Sequence, residues 1–142
     1  MTKSDAYMLF TISLNHFNQT TRQLEELDTI AYHTIIIKQS YSHLNYDYDK
    51  HFNKCKDIYN KCVKKQTDIE TTIDDIAIKN DTSQNTETLL TLQTMEFRML
   101  VKKFNKSVNA FDEWFKNNTN CTNTTNWLEH HPESYIRQQL QR

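Results

Sequence analysis

No glycine occurs anywhere in the 142 residues, and the single proline, Pro132, lies close to the C-terminus. Average usage near 7% would supply roughly ten glycines. Without them the chain has few means of turning sharply at positive φ. Its connections therefore fall to Asn, Asp, Ser and Thr tracts, and its regular structure to long helices. The same absence excludes a Gly-rich phosphate loop, a G-x-S-x-G nucleophile elbow and a dinucleotide fingerprint.

Long apolar runs are missing too. Stretches such as Ile35 to Ile37 fall far short of the roughly 20 residues that a membrane span requires, which argues against membrane insertion. The N-terminus MTKSDAYMLFTISLNHF scatters polar residues through its apolar ones, unlike a secretory leader, and points to cytoplasm or nucleus. Nor is there an excess of charge of one sign. Seventeen basic and 18 acidic side chains leave −1, which gives no global electrostatic case for nucleic acid as a partner.

Cysteine is sparse and odd in number: Cys55, Cys62 and Cys121. Cys55 and Cys62 are two helical turns apart, ~10 Å by rise, beyond the reach of a disulfide. Three reduced thiols are expected. Against an intracellular reading stand six N-x-S/T sequons, at Asn18, Asn80, Asn105, Asn117, Asn120 and Asn123. In a secreted chain these would accept glycans, although Asn and Thr are abundant enough here to generate them by composition.

What the chain does have is helical periodicity. Tyr7, Phe10, Leu14, Phe17, Thr21 and Leu24 follow 3-4 spacing, which slips by one residue and resumes through Leu27, Ile30, Thr34, Ile37, Tyr41, Leu44 and Tyr48. These positions predict a first helix over about 5–44 with Ser4 as N-cap, broken at Asn45–Asp49, where Asn and Asp compete for backbone hydrogen bonds. Phe52, Cys55, Tyr59, Cys62, Gln66, Ile69, Ile73 and Ile76 predict a second helix over 48–79, ending in the polar stretch 80–85. Leu90, Gln93, Phe97, Leu100, Phe104, Ser107, Phe111 and Trp114 predict a third over 86–117. Leu92, Met99, Val101, Val108 and Phe115 widen that stripe enough to suggest burial against two neighbours.

The expected fold is all-α: an antiparallel three-helix bundle of long helices over 1–117, an Asn/Thr linker over 118–126 and a short C-terminal helical module over 127–142. An extended coiled-coil rod or a helical hairpin is the alternative. In the bundle, Lys61, Lys64 and Lys65 would lie beside Lys102, Lys103 and Lys106, with Glu25, Glu26 and Asp28 arriving at the same level to neutralise them.

Sites are few. The six lysines form a candidate anionic-partner patch, but without arginine it lacks bidentate phosphate recognition. Trp127, Leu128, Tyr135, Ile136 and Leu140 form a candidate partner-binding module suited to a helix-in-groove contact. His51 and Cys55, four residues apart with Cys62 beyond, offer metal ligands at a spacing unlike that of structural zinc sites. No E-x-x-H pair exists for a di-iron bundle, and no nucleophile has a fixed base, so neither catalytic residues nor a cofactor are expected.

The composition and seams point to a non-enzymatic helical interaction or scaffold subunit. It would act by burying helix faces against a protein partner or a second copy. Two alternatives remain open: a secreted or surface-exposed glycosylated helical effector, and a small helical metal-binding protein.

Overall fold

A computed structural model describes residues 1–80 and 83–119. Three long helices, α1 (Lys3–Tyr32), α2 (Asn45–Lys79) and α3 (Gln84–Thr119), pack against one another, and the described residues contain no strand. The chain is an all-α helical bundle. The linker and C-terminal module expected over 118–142 lie almost wholly outside the described residues, α3 itself running on to Thr119.

The N-cap of α1 is Thr2, not Ser4. Thr2 Oγ1 accepts the Asp5 N–H at 3.1 Å while the Thr2 N–H donates to Asp5 Oδ2 at 3.1 Å, a reciprocal capping box. These bonds hold the Asp5 carboxyl below its ordinary pKa.

The first connection differs most from expectation. Regular α-helix stops at Tyr32 and widens into a π-helical turn, His33–Ile37, instead of continuing to 44. Thr34, Ile35, Ile36 and Ile37 are four β-branched residues in a row, which crowd the preceding turn of an α-helix. The turn closes through Lys38 N–H to the His33 carbonyl at 2.9 Å and Ser40 N–H to the Thr34 carbonyl at 3.2 Å. Gln39 takes φ 56°, the left-handed position that glycine usually fills at a helix C-terminus. A 3-10 turn, Ser42–Leu44, then leads into α2. The Asn45–Asp49 tract expected to break the chain is thus the first turn of α2, where short polar and acidic side chains complement the helix dipole.

Asn80, at φ 48°, ends α2 in the same left-handed manner. Two non-glycine residues therefore supply the positive φ that the composition withheld. Ser83 caps α3: its Oγ accepts the Thr86 N–H at 3.3 Å and its carbonyl the Glu87 N–H at 3.2 Å.

The core seam of α1 does not slip. Ala6, Phe10, Ser13, Phe17, Thr20, Leu24, Leu27, Ala31 and Thr34 are all buried, an unbroken 4-3 alternation. The apparent one-residue slip came from passing over Ala6, Ser13, Thr20 and Ala31, which are small or hydroxylated core residues. Leu90, Thr94, Phe97, Val101, Phe104, Val108, Phe111 and Phe115 give α3 the same alternation. Two buried hydroxyls bond to their own helix, Thr119 Oγ1 donating to the Phe115 carbonyl at 2.6 Å and Thr72 Oγ1 to the Asp68 carbonyl at 3.0 Å. Thr72 Oγ1 also lies 2.8 Å from Gln93 Oε1 on α3, and Thr94 Oγ1 is buried with no hydrogen-bond partner among the described residues. A core can thus be built from a chain only 37% hydrophobic.

Contacts divide the molecule into two compact units. Unit 1 comprises Met1–Gln19 and Asp57–Asn105; unit 2 comprises Thr20–Lys56 with the described part of 106–142. In unit 1, Phe10 packs on Phe97 and Phe17 on Phe104, so the α1 and α3 segments run parallel. Tyr59 packs on Phe104 and Lys65 pairs with Glu96, so the α2 segment runs antiparallel to α3. In unit 2 the α2 and α3 segments are again antiparallel, Tyr48 and His51 meeting Phe111 while Cys55 bonds to Ser107.

Candidate functional site

Unit 2 holds an aspartate, a tyrosine, a histidine and a cysteine whose pKa values are shifted: Asp28, Tyr48, His51 and Cys55. Tyr48 is buried and its hydroxyl donates to Asp28 Oδ1, a hydrogen bond from α2 to α1. Burial pushes the Asp28 carboxyl above its ordinary pKa, while the Tyr48 bond and Lys56 pull it back. The Tyr48 phenol is raised in turn, by burial first and then by Asp28.

One turn further along α2, the His51 ring stacks on Trp114 with centroids 4.9 Å apart and on Phe111 at 6.1 Å. Burial lowers its pKa, with Lys50 and Lys54 acting in the same direction and Asp47 opposing. Tyr41 secures the first connection by donating to the Thr119 carbonyl at 2.8 Å. A polar groove on this unit is lined by Gln23, Glu26, Leu27, Val108, Asn109 and Asp112.

The cysteines are core residues. Cys55 and Cys62 are fully buried free thiols. Burial raises Cys55, which a hydrogen bond from Ser107 partly offsets, and pushes Cys62 up to about 12. A nucleophile or metal ligand must be a thiolate, so burial holds both in the unreactive form. Among the described residues no three His, Cys, Asp or Glu side chains are placed to hold a metal ion. His51 presents its ring to Trp114 and Phe111.

Unit 1 has a different character. Its core is an aromatic cluster: Phe17 packs on Tyr59, Phe97 and Phe104 at 5.5, 5.9 and 5.6 Å between centroids. Its outside is apolar over part of α3 and α1. Leu89, Leu92, Met95 and Met99 follow one another along α3, with Leu92 57% and Met99 60% exposed. Met8, 62% exposed, and Ile12 do the same on α1. The shared 10-to-97 and 17-to-104 register puts Met8 level with Met95 and Ile12 level with Met99. Between the two helices runs a groove lined by Leu9, Ile12, Ser13 and His16 of α1 and Arg98, Val101 and Lys102 of α3. Leu92 and Met99, expected from their spacing to widen the buried stripe, are therefore exposed rather than buried among the described residues.

The lysine band is only partly assembled. Tyr59 facing Phe104 brings Lys61 level with Lys102 and Lys103, all three exposed. Lys64, also exposed, and Lys65 lie level with Glu96, and Lys65 Nζ is 2.6 Å from Glu96 Oε2. Lys106 is exposed and belongs to unit 2. The expected neutralisation by Glu25, Glu26 and Asp28 does not occur. Phe17 faces Tyr59, so 61–65 lie opposite α1 residues before 17; Asp28 bonds to Tyr48. Ending α1 early shifts the pairing of α1 with α2 by several turns.

Trp127, Leu128, Tyr135, Ile136 and Leu140 lie outside the described residues, as do Cys121 and the sequons at Asn120 and Asn123. Asn18, Asn105 and Asn117 are exposed on helices, and the hydroxyl residues completing their sequons, Thr20, Ser107 and Thr119, are buried in the core. No helix among the described residues is long and apolar enough to cross a membrane. Comparison with protein-family models, curated proteins and solved structures found no match for this chain.

Proposed function

We propose that this protein is a non-enzymatic helical interaction or scaffold subunit that works by burying a helix face of unit 1 against a protein partner. The observation that carries this reading is the stripe Leu89, Leu92, Met95 and Met99 on α3, flanked by Met8 and Ile12 on α1. A run of exposed leucine and methionine at helical spacing costs solubility unless something covers it. Methionine suits a contact surface because its flexible, polarisable side chain adapts to the shape it meets.

The same reading accounts for what unit 2 offers. Its Cys55 thiol is held protonated, His51 stacks on Trp114 and Phe111, and Asp28 is bonded to the buried Tyr48, so these groups serve packing. Localisation in cytoplasm or nucleus belongs to the proposal, since the free buried thiols Cys55 and Cys62 suit a reducing compartment.

Cross-linking of native material followed by mass spectrometry tests the reading. Intermolecular cross-links should concentrate on 84–103 of α3 and the first 16 residues. Cross-links spread evenly over the surface, or absent from that face, would refute it.

A further inference from the structure

The unit 1 face carries a charge pattern that selects its occupant. Asp5 and Glu87 lie toward one end of it, and His16, Arg98 and Lys102 toward the other. A surface acidic at one end and basic at the other is complementary to itself when turned end over end.

The apolar stripe has the same symmetry. Leu92 and Met99 are equidistant from the midpoint between Met95 and Glu96, and Leu89 is as far from that midpoint on one side as Lys102 is on the other. A two-fold axis through the midpoint, perpendicular to the helices, would set Leu92 against the second copy's Met99. It would also bring the second copy's Arg98 level with Gln93, beside Asp5, which stands level with Leu92 in the α1–α3 register. Near the axis, Glu96 is already neutralised by Lys65.

From this we infer that the occupant is a second copy of this chain, paired antiparallel through α1 and α3 of unit 1 in an isologous two-fold dimer. The inference deepens the reading under "Proposed function" and rests on it.

The test is sedimentation equilibrium of the full chain from low micromolar to several hundred micromolar. A monomer–dimer equilibrium is expected. Leu92→Glu with Met99→Glu should weaken it by more than about tenfold, with helicity by circular dichroism unchanged. Arg98→Glu with Lys102→Glu should weaken it as well, and so should Glu87→Lys. An equimolar mixture of those two charge variants should associate more tightly than either alone, because their altered ends complement each other. Spin labels at position 95 should lie close together across the dimer and labels at position 87 far apart.

A dimer that survives Leu92→Glu with Met99→Glu, or labels at position 87 as close as those at 95, would overturn the inference. A monomer at every concentration would do the same. A monomer whose unit 1 face cross-links to a different protein would still leave the proposed function standing. A monomer whose face cross-links to nothing would remove both.

Discussion

The two units are cut from the same three helices and solve the same packing problem with different chemistry. Unit 1 fills its core with Phe10, Phe17, Phe97, Phe104 and Tyr59, and leaves leucine and methionine on its outside. Unit 2 builds an aspartate, a tyrosine and a histidine into its aromatic cluster. Of the exposed large apolar side chains among the described residues, nine belong to unit 1, against Tyr32, Ile37 and Tyr46 in unit 2. The contrast teaches where to look for function. The unit that builds Asp28, Tyr48 and His51 into its interior spends them on internal contacts, and the other carries the surface left to be covered.

The largest effect should come from the core of unit 1. Phe97→Ala removes a fully buried ring that packs on both Phe10 and Phe17, and should cost about 3–5 kcal/mol in chemical denaturation. That loss should be the same at pH 5 and pH 8. A cost below about 1 kcal/mol would show that unit 1 is not held by its aromatic cluster.

Unit 2 should answer differently. Tyr48→Phe removes the donor to a half-buried carboxylate and should cost about 1.5–3 kcal/mol at neutral pH. The pH dependence follows from Asp28. Its pKa is raised by burial, so its own contribution to stability is complete below the ordinary carboxylate value and is lost as pH rises through the raised one. The Tyr48 bond holds the ionised form, so the penalty of Tyr48→Phe should be greatest above that raised value and shrink on acidification. A penalty independent of pH would mean that the bond does not serve the carboxylate.

Much of this fold is legible in the sequence, and the illegible parts have identifiable causes. The seams around Phe10, Phe17, Phe97 and Phe104 announce themselves because large apolar residues recur every three or four positions. The continuity of α1 is hidden because Ser13 and Thr20 fill core positions with polar side chains, whose burial depends on neighbouring helices. The end of α1 is misread for a related reason: Asn45 and Asp47 favour a break and a helix start equally, and only tertiary pairing decides.

The exposed stripe of α3 lies between these cases. Spacing alone identifies Leu92 and Met99 as apolar and periodic, but whether a helix face is covered within the chain depends on how many neighbours the bundle supplies.

Gln39 makes a smaller and opposite prediction. A left-handed conformation costs a residue with a Cβ roughly 1–2 kcal/mol, part of which glycine returns through its greater freedom when unfolded. Gln39→Gly should therefore stabilise the protein by about 1 kcal/mol, seen as a higher melting temperature. A lower melting temperature would show that the Gln39 side chain compensates for its backbone.

The smallest effect expected is at His51. Its pKa is lowered by burial, so its contribution to stability is present above the ordinary imidazole value of about 6.5 and is lost as pH falls through the lowered one. Replacing it with phenylalanine keeps a ring against Trp114 and should reduce the decline in melting temperature on acidification. An unaltered decline would place the acid-sensitive group elsewhere.

The exposed face of unit 1 should be covered when the protein is at work. Hydroxyl-radical footprinting should compare dilute purified protein with the protein in native material, reading Met8, Met95 and Met99 against Tyr46, which is 77% exposed in unit 2. The three methionines should be protected in native material while Tyr46 is labelled equally in both. Equal labelling of the methionines in the two samples would contradict the account.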